Sequence, residues 1–475
     1  MTPEEEALRR IREAETTGAV ELDLSKLAVY RLSRELAGLT LLQSLNLFWC
    51  EQLRDLSPLA GLTSLQSLAL SWCKQLRDLS PLAGLTSLQT LRLDGRLGVR
   101  RFAPLESLLL TLKELNLFGC KLDDLPSEVC GDNWRENVLD KVRAHYEDLK
   151  SGKRIDAEVK VLFLGNGGVG KTQLCRRLCG LTFDPSVPTT HGVLLGQTAM
   201  ELDDFTEPVR LNLWDFGGQD IYHGSHSLFL HGHAIFLVLW TPDLEQSGSY
   251  EENAVLLRHR PLSYWLDYLR AFAGTDTSVL IVQSQCDTRD KRILHPPAPV
   301  DDFPFHRYTE VSARTGLNLG ILKEHIKEAA RDRFDRFPPP PIGVGRLKVR
   351  DRLRQMLEEG QKREPAKRQH RLLEREEFDR ICEETGGVND SGALLDFLHH
   401  NGVVFYKSGL FGDRIVLDQN WALEAIYTLF DRDKILPLLR GYGRFSRADL
   451  EALIWSDYAP EEQKVFLGMM ESCGI

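Results

Sequence analysis

The sequence has none of the features that would direct the chain into or across a membrane. Its longest wholly apolar run, residues 234–240, is far too short to span a bilayer. The N-terminus reads Met-Thr-Pro-Glu-Glu-Glu and lacks the basic-then-apolar profile of a signal peptide. The nine cysteines are odd in number and include no C-x-x-C pair, so we interpret them as reduced intracellular thiols. We therefore expect a cytoplasmic protein without a membrane partner.

The sequence also lacks an excess of positive charge. A net charge of −10 argues against a protein that coats nucleic acid along its whole surface, although a local basic patch stays compatible with it. An apolar content of 42% and a charged content of 27% are ordinary for a soluble globular protein. The chain is long enough for about three domains.

Leucines recur with a period of about 23 residues in the first part of the chain. The frame L-x-x-L-x-L begins at Leu42, Leu65, Leu88 and Leu112, with a degenerate copy at Ala19. This pattern predicts a leucine-rich-repeat solenoid over residues 1–133, with residues 1–16 as a charged helix that covers its first end. The repeat position that favours Asn or Cys predicts three buried, structural cysteines: Cys50, Cys73 and Cys120.

The concave face of such a solenoid is the expected site of a protein partner. Phe48 and Phe118 fall between the leucines on this face. They are candidates for partner contacts or, alternatively, exposed aromatic residues without a function. A helix in residues 134–154, with Trp134, Val138, Val142 and Tyr146 on one face, is predicted to link the repeats to the next domain through a hinge at residues 151–154.

A glycine-rich phosphate-binding loop follows. Residues 159–164 form an apolar, β-branched run typical of a buried strand, and Gly165, Gly167, Gly168 and Gly170 come directly after it. Without Cβ atoms, the backbone can curl so that its N–H groups face phosphate oxygens at the start of the next helix. In the pattern G-x-x-x-x-G-K-[ST], Lys171 adds a positive charge for the phosphates and Thr172 a hydroxyl for Mg²⁺.

A second motif follows another predicted strand. Apolar runs at 159–164, 209–215, 234–240, 278–284 and 307–311 alternate with helical segments, which predicts a doubly wound α/β sheet. Asp215 ends the second of these strands, where its carboxylate can reach the Mg²⁺ shell. Gly218 can bring its N–H close to a γ-phosphate, and Gln219 can orient a water in line with it.

At these residues the chain resembles the Ras-like GTPases, and among them the Roc domain of the Roco family, in which leucine-rich repeats precede the GTPase and a COR domain follows. The resemblance rests on Asp-Phe-Gly-Gly-Gln-Asp-Ile-Tyr-His at 215–223 with His226, and on Pro-Thr-Thr-His-Gly-Val at 188–193. It implies that Thr190, or alternatively Thr189, binds Mg²⁺ and senses the γ-phosphate. The histidines in these segments are interpreted as surface or packing residues, with a metal cluster as the alternative: His191, His223 and His226.

Base recognition departs from the family pattern. Where the family has Asn-Lys-x-Asp, this chain has Ser284, Gln285, Cys286 and Asp287. Asp287 is expected to select guanine, and the resemblance implies that the Ala313 amide meets the guanine oxygen. Because Ser284 and Gln285 differ from the family residues, we expect weak GTP and GDP binding and keep ATP as an alternative ligand.

The resulting site has three sets of residues. The predicted catalytic residues are Gln219, Lys171 and Thr190. The predicted nucleotide-binding residues are Gly165, Asn166, Gly167, Gly168, Val169, Gly170, Lys171, Thr172, Gln173, Gly218, Asp287, Ser312 and Ala313. The predicted Mg²⁺ ligands are Thr172, Thr190 and Asp215. We expect slow GTP hydrolysis unless a partner or second subunit stabilises the transition state.

The predicted GTPase domain covers residues 155–335, and residues 336–475 resemble the first part of a COR domain. The segment 346–375 is rich in cations, which indicates a solvated helix face or, alternatively, a surface for an acidic partner or nucleic acid. Helices at 376–385 and 391–400, then strands at 403–406 and 414–417, predict a winged-helix order. A GTP-regulated DNA binder is therefore an alternative, although the second helix has no Arg or Lys for base contacts.

The chain stops inside the COR resemblance, so we expect a fragment or truncated form, with a homodimer in a longer chain and a monomer as the alternative here. The main functional prediction is a guanine-nucleotide switch that couples its GTP or GDP state to the arrangement of the repeats and COR. The rival is a scaffold in which the nucleotide is structural and the repeats bind a protein.

Overall fold

The structure is a computed structural model that describes residues 2–95, 97–187, 190, 193–218, 234–245, 248–252, 255–293, 295–362, 371–407, 409, 411–430 and 446–472. Five candidate residues lie outside the described residues: Thr189, His191, Gln219, His223 and His226. The chain folds into two compact units. One comprises Met1–Asp156, Pro339–Gln355 and Glu376–Val403, and the other comprises Ala157–Pro338, Met356–Arg375 and Val404–Ile475.

The first unit opens with a capped helix. Helix α1, Pro3–Thr17, begins after Thr2, whose hydroxyl accepts from the Glu5 N–H while the Glu5 carboxylate accepts from the Thr2 N–H. This capping box satisfies two N–H groups that a helix N-terminus otherwise leaves unpaired. The inner face of the helix buries Ala7, Ile11 and Ala14.

Five short parallel strands follow α1 and lie side by side in chain order: β1 (Glu21–Asp23), β2 (Ser44–Asn46), β3 (Ser67–Ala69), β4 (Thr90–Arg92) and β5 (Glu114–Asn116). The central leucine of each strand points inward, and the residues on either side are more exposed in β1–β4. Each buried leucine contributes about 1.5–3 kcal/mol, so the repeated leucines form the core of this segment.

The cysteines of the repeats also face inward. The thiols of Cys50, Cys73 and Cys120 donate to backbone carbonyl oxygens in the preceding repeat, at 3.1–3.3 Å. Cys50 and Cys73 are buried and Cys120 is half-buried. Of the two aromatic candidates on the strand face, Phe48 is half-buried and Phe118 is 37% exposed.

The predicted linker helix is shorter than expected. Helix α2 runs over Leu139–Lys150, so Trp134 lies before it and is exposed rather than on its apolar face. The predicted hinge also needs correction. Residues of β6 (Lys153–Ile155) pair antiparallel with β15 (Pro341–Gly343), so backbone hydrogen bonds hold the second half of the segment 151–154.

A six-stranded sheet lies at the centre of the second unit. Its order is β14 (Phe305–Glu310), β13 (Ser278–Gln283), β10 (Ile235–Trp240), β7 (Glu158–Leu164), β9 (Val209–Phe216) and β8 (Val193–Met200). The first five strands are parallel, at close to the predicted positions. Strand β8, which was not predicted, is an antiparallel edge strand beside β9. Its alternating burial reflects a strand with one covered face.

The two faces of this sheet enter separate cores. Along β7, Leu162 and Leu164 belong to one cluster, whereas Val161 and Phe163 belong to the other. Helices α3 (Lys171–Leu178) and α5 (Leu319–Arg336) pack in the second cluster, and α4 (Leu262–Phe272) packs in the first. A two-stranded hairpin, β11 (Ser249–Glu252) with β12 (Val255–Arg258), precedes α4.

The C-terminal segment is mainly helical. It contains α6 (Val344–Gln361), α7 (Arg375–Thr385), α8 (Ser391–His400), α9 (Gln419–Tyr427), α10 (Arg447–Asp449) and α11 (Pro460–Ser472). The predicted strand at 403–406 is wrong, because it contributes only a single bridge from Phe405 to Val416. The strand at β17 (Ile415–Val416) pairs instead with β16 (Leu372–Leu373), which was not predicted.

Two cations of the basic segment 346–375 are not solvated. Arg346 is fully buried and paired with Asp148, and Arg350 is buried and paired with Asp156. These two cations therefore belong to neither a solvated face nor a surface for an acidic partner, whereas Lys348 and Arg352 are exposed. Among the described residues, no helix combines the length and the hydropathy needed to cross a bilayer.

Candidate functional site

The loop between β7 and α3 needs glycine at several positions. Gly165 has φ +139°, and a Cβ there would lie 2.3 Å from the carbonyl oxygen of Leu239. Gly168 and Gly170 have φ of +72° and +97°, a region that side chains disfavour. No side chain caps the N-terminus of α3, so the first N–H groups of the helix remain available to an anion.

The ammonium group of Lys171 sits inside this loop. Its Nζ donates to the carbonyl oxygens of Gly165 and Asn166, both at 2.8 Å, and the residue is buried. Burial lowers the pKa of Lys171 to about 8, and the nearby Asp215 carboxylate opposes this shift. The predicted phosphate-binding cation is therefore positioned by the loop itself.

Three predicted Mg²⁺ ligands meet beside Lys171. The hydroxyls of Thr172 and Thr190 are 2.6 Å apart, and Thr190 donates to Oδ2 of Asp215 at 3.1 Å. Asp215 is buried, and its Oδ1 has no hydrogen-bond partner among the described residues. Burial raises the pKa of Asp215, whereas Lys171 and the two threonines act in the opposite direction. Two hydroxyls and an unsatisfied carboxylate oxygen are a donor set that fits Mg²⁺.

Gly218 lies directly against the phosphate-binding loop. Its carbonyl oxygen accepts from the N–H of Gly167 at 3.0 Å. A Cβ at this position would lie 2.3–2.4 Å from atoms of Asn166, Gly167 and Lys171. Only glycine fits this approach. The neighbouring candidate, Gln219, lies outside the described residues.

A cavity of about 390 Å³ extends from the loop towards the ends of β13 and β14. Its lining comprises Gly168, Val169, Gly170, Gln173, Leu174, Phe183, Pro185, Ser284, Gln285, Asp287, Lys291, Val311, Ala313 and Arg314. Gln173 helps to form one wall, because its side-chain amide makes two hydrogen bonds with the Asp184 backbone, at 2.7 and 3.2 Å. The cavity therefore joins the predicted phosphate-binding and base-binding residues.

Asp287 is oriented at the far end of the cavity. The Ser312 hydroxyl donates to Asp287 Oδ1 at 2.5 Å, and Ser312 Oγ accepts from the Thr315 N–H at 3.0 Å. Arg314 Nη1 lies 3.9 Å from Asp287 Oδ2. The side chain of Asp287 is 34% exposed, so the carboxylate can face a ligand while one oxygen is held by Ser312.

Hydrogen bonds that the sequence did not indicate connect the phosphate-binding loop to other segments. Ser284 Oγ donates to the Val169 carbonyl oxygen at 2.6 Å, and Gln285 Nε2 donates to that of Gly168 at 2.7 Å. The side-chain amide of Asn166 hydrogen-bonds both backbone polar groups of Arg260, at 2.8 and 2.9 Å. Asn166 and Arg260 are 94 residues apart, so no local pattern could have indicated this contact.

Comparison with known proteins identifies two domains. The family described as Roc, Ras of Complex, Roc, domain of DAPkinase, matches residues 160–287, and the family described as C-terminal of Roc, COR-A domain, matches residues 347–475. Together the two matches cover more than half of the chain. The chain belongs to the Roco family. The Ras-like GTPase domain of this Roco protein therefore contains the loop, Asp215 and Asp287, and a COR-A domain follows it.

Two relatives of this Roco protein illustrate the similarity. A Roc-COR-CHAT protease from an unknown prokaryotic organism is 24% identical over 392 residues, which are 77% of this chain and 34% of the relative. This chain thus spans about a third of that protein. The solved structure of Methanosarcina barkeri Roco2 RocCORdC bound to GDP is 23% identical, with a TM-score of 0.49, and the match covers 67% of this chain and 92% of the other.

Proposed function

We propose that this chain is a guanine-nucleotide switch that binds GTP and GDP and hydrolyses GTP slowly. The observation that carries the proposal is the cluster of Lys171, Thr172, Thr190 and Asp215, in which a buried carboxylate oxygen has no hydrogen-bond partner among the described residues. Such an orphan oxygen is costly unless a ligand satisfies it. A Ras-like Roc domain around this cluster makes a nucleotide and its metal the expected ligands.

Mg²⁺ would be held by the two threonine hydroxyls and Asp215. When bound, it neutralises charge on the β- and γ-phosphate oxygens. The protein's own groups act around it. The loop amides and Lys171 hold the phosphate chain. Thr190 and the Gly218 N–H contact the γ-phosphate and lose this contact when it is released, and Gln219 orients a water.

Base selection is assigned to Asp287 and Ala313. A carboxylate can accept from the ring N–H and the exocyclic amino group of guanine, whereas adenine offers no matching pair of donors. Ser312 hydrogen-bonds the Asp287 carboxylate, and the Ala313 amide would meet the guanine oxygen. Ser284 and Gln285 donate hydrogen bonds to the phosphate-binding loop. These contacts support a site in which the base-binding residues are connected to the loop, although the Asn and Lys of the family pattern are absent.

Hydrolysis is expected to be slow in the chain alone. Positioning by the loop and Lys171 leaves much of the transition-state charge uncompensated, and an added cation from a partner or second subunit is the usual remedy. The catalytic set remains Gln219, Lys171 and Thr190.

The nucleotide state can reach COR through β8. Thr190 lies three residues before β8 begins, and the Leu195 N–H of β8 donates to Asn420 Oδ1 of α9 at 3.3 Å. A change at Thr190 would alter the start of the strand on which α9 rests. The repeats then carry the protein partner on their concave face. We retain a cytoplasmic location and, for a longer chain, a homodimer as parts of this proposal.

Nucleotide-binding measurements test this function. Labelled GTP bound to the chain should be displaced by unlabelled GTP much better than by ATP, and Lys171→Ala should abolish binding. Asp287→Asn should shift the preference from guanine towards xanthine nucleotides, because an amide can donate to the extra xanthine oxygen. Equal competition by ATP and GTP would contradict guanine selection.

The catalytic assignment needs a separate measurement. Under single-turnover conditions, wild type should release phosphate from GTP faster than Gln219→Leu. Equal rates, matching GTP in buffer, would favour the rival function, a scaffold that a bound nucleotide only stabilises. Lys171→Ala and Gln219→Leu therefore separate binding from hydrolysis.

A further inference from the structure

Two cysteines meet at the C-terminal end of the helix that carries Lys171. Cys175 lies within α3, and Cys179 follows it by one turn at the residue that ends the helix, with φ −73° and ψ 3°. Their sulfurs pack against the same point of β8. A Cβ built on Gly196 would lie 3.2 Å from Cys179 Sγ and 3.6 Å from Cys175 Sγ. The lack of a side chain at Gly196 gives both sulfurs room on one side of the strand.

The two thiols are chemically unequal. Cys175 is buried, whereas Cys179 is half-buried and therefore reachable from solvent. The hydrogen bond from the Cys175 thiol, together with the backbone N–H of Gln197, lowers the pKa of Cys179. The same hydrogen bond and burial raise the pKa of Cys175. In contrast, burial raises the pKa of the other cysteines for which a shift is resolved: Cys50, Cys73, Cys120, Cys130 and Cys286.

We propose that Cys175 and Cys179 form a redox-active dithiol that closes to an intramolecular disulfide by exchange with a low-molecular-weight disulfide such as oxidised glutathione. The inference does not depend on nucleotide binding. It rests on the pairing of an accessible attacking sulfur with a buried sulfur one helical turn away.

The exchange has two steps. The Cys179 thiolate attacks one sulfur of glutathione disulfide, forms a mixed disulfide, and releases one glutathione thiolate. The Cys175 thiol then gives its proton to solvent and attacks the Cys179 sulfur, which forms the internal disulfide and releases the second glutathione. Two protein thiols are oxidised and one glutathione disulfide is reduced to two thiols.

The bridge requires a local movement at the end of α3. Cβ atoms four residues apart on a helix are about 5–6 Å apart, whereas a disulfide needs about 3.5–4.5 Å. Helix α3 ends at Cys179, whose N–H donates to the Cys175 carbonyl oxygen at 3.0 Å, so the bridge requires this last helical hydrogen bond to distort. Such a movement would shift Cys179 past Gly196 of β8. Strand β8 begins three residues after Thr190.

The sequence provides a direct readout for this bridge. The full-length chain is incubated in its folded state with oxidised glutathione, the remaining thiols are alkylated, and the protein is digested with trypsin. Because Arg176 and Arg177 lie between the cysteines, the disulfide must join the peptide 172–176 to the peptide that begins at Leu178. We expect this linked pair in wild type and its loss after treatment with dithiothreitol.

Two variants assign the roles. Cys175→Ser should stop at the mixed disulfide, with glutathione retained on Cys179. Cys179→Ser should leave Cys175 unmodified until the protein is unfolded. Each variant is compared with wild type by its thermal transition, and the wild-type digest decides the question if a variant does not fold.

Several results would overturn the proposal. One is separate alkylation of Cys175 and Cys179 in the oxidised wild type, and another is glutathione on Cys175 in Cys179→Ser. Pairing of either cysteine with Cys382 or Cys130, both buried in the structure, would show unfolding rather than a local dithiol. Because the readout is a peptide mass, its failure is distinguishable from a failure of GTP binding.

Discussion

The side-chain amide of Gln285 donates a hydrogen bond to the carbonyl oxygen of Gly168, with Nε2 and O 2.7 Å apart. Gln285 has φ +60°, a conformation that few residues other than glycine adopt. Its neighbour Ser284 makes the equivalent contact with Val169. The two residues that replace the family's Asn-Lys pair thus attach the turn before Asp287 to the phosphate-binding loop.

Replacing the donor of Gln285 should weaken nucleotide binding. Gln285→Glu keeps the shape of the side chain but places a carboxylate against the Gly168 carbonyl oxygen. Loss of a neutral hydrogen bond is worth about 0.5–1.5 kcal/mol, which is about a two- to twelvefold increase in Kd. A fluorescent GDP titration measures this change. Gln285→Lys, which again places a donor there, is the matched control and should bind about as well as wild type; equally weak binding by the Lys and Glu variants would contradict the role of the hydrogen bond.

The parts of the site that sequence reasoning predicted are those with local signals. The glycines at 165–170, an apolar strand before them and Lys171 after them specify the loop without knowledge of the rest of the chain. Asp215 was found in the same way, because it ends an apolar run in the sequence, residues 209–215. In a parallel sheet the ends of such strands meet at one edge, and Thr172 and Asp215 indeed lie in one cluster with Thr190.

The parts that were missed depend on contacts between distant segments. Gly196, Gln197 and Thr198 interrupt the apolar residues of β8, so it lacks the continuous apolar run of β10. Trp134 fits the helical periodicity of the segment, but the helix begins only at Leu139, so Trp134 lies outside it. The pairing of β6 with β15 joins segments almost 190 residues apart, and periodicity within one segment carries no information about such a partner.

Nucleotide binding should depend on pH through Lys171. Burial holds the pKa of its ammonium group at about 8 in the free protein, and an adjacent phosphate would raise it. Below this pH the lysine is already charged and binding requires no proton. Above it, binding must be accompanied by proton uptake, so affinity falls as pH rises.

Calorimetry tests this linkage directly. The binding enthalpy should vary with the ionisation enthalpy of the buffer at about pH 9 but little at about pH 7. Lys171→Arg is the control, because a guanidinium stays charged throughout this range. Absence of any buffer dependence at the higher pH would show that the lysine keeps its proton in the free protein.

The buried pair of Asp148 and Arg346 should be essential for the stability of the first unit. Both side chains are fully buried, and the Asn389 backbone and side-chain N–H groups also donate to Asp148, each at 2.8 Å. Asp148→Asn leaves the buried guanidinium without a counter-charge, which typically costs about 3–5 kcal/mol. Urea unfolding followed by circular dichroism should show a clearly lower midpoint.

A neighbouring exposed pair provides the control for this change. Lys150 and Glu147 are 2.6 Å apart on the same helix, with both side chains more than half exposed. Solvent screens such pairs, so Glu147→Gln should leave the unfolding curve unchanged. Equal effects of the two substitutions would mean that Arg346 finds another partner.

Gly95 should be indispensable to the packing of the tryptophans in the repeats. Trp72 stacks on Trp49 with ring centroids 5.7 Å apart and planes 19° from parallel. A Cβ on Gly95 would lie 2.9–3.0 Å from three atoms of the Trp72 indole, at φ +95°. Gly95→Ala must therefore both displace the indole and strain the backbone, which we expect to lower the free energy of unfolding by about 1–3 kcal/mol.

Gly61→Ala is the matched control, because a Cβ there meets only the Ala37 carbonyl oxygen at 3.9 Å and φ is not positive. Urea unfolding monitored by tryptophan fluorescence compares the two, and an equal stability of both variants would show that the indole stack yields without cost.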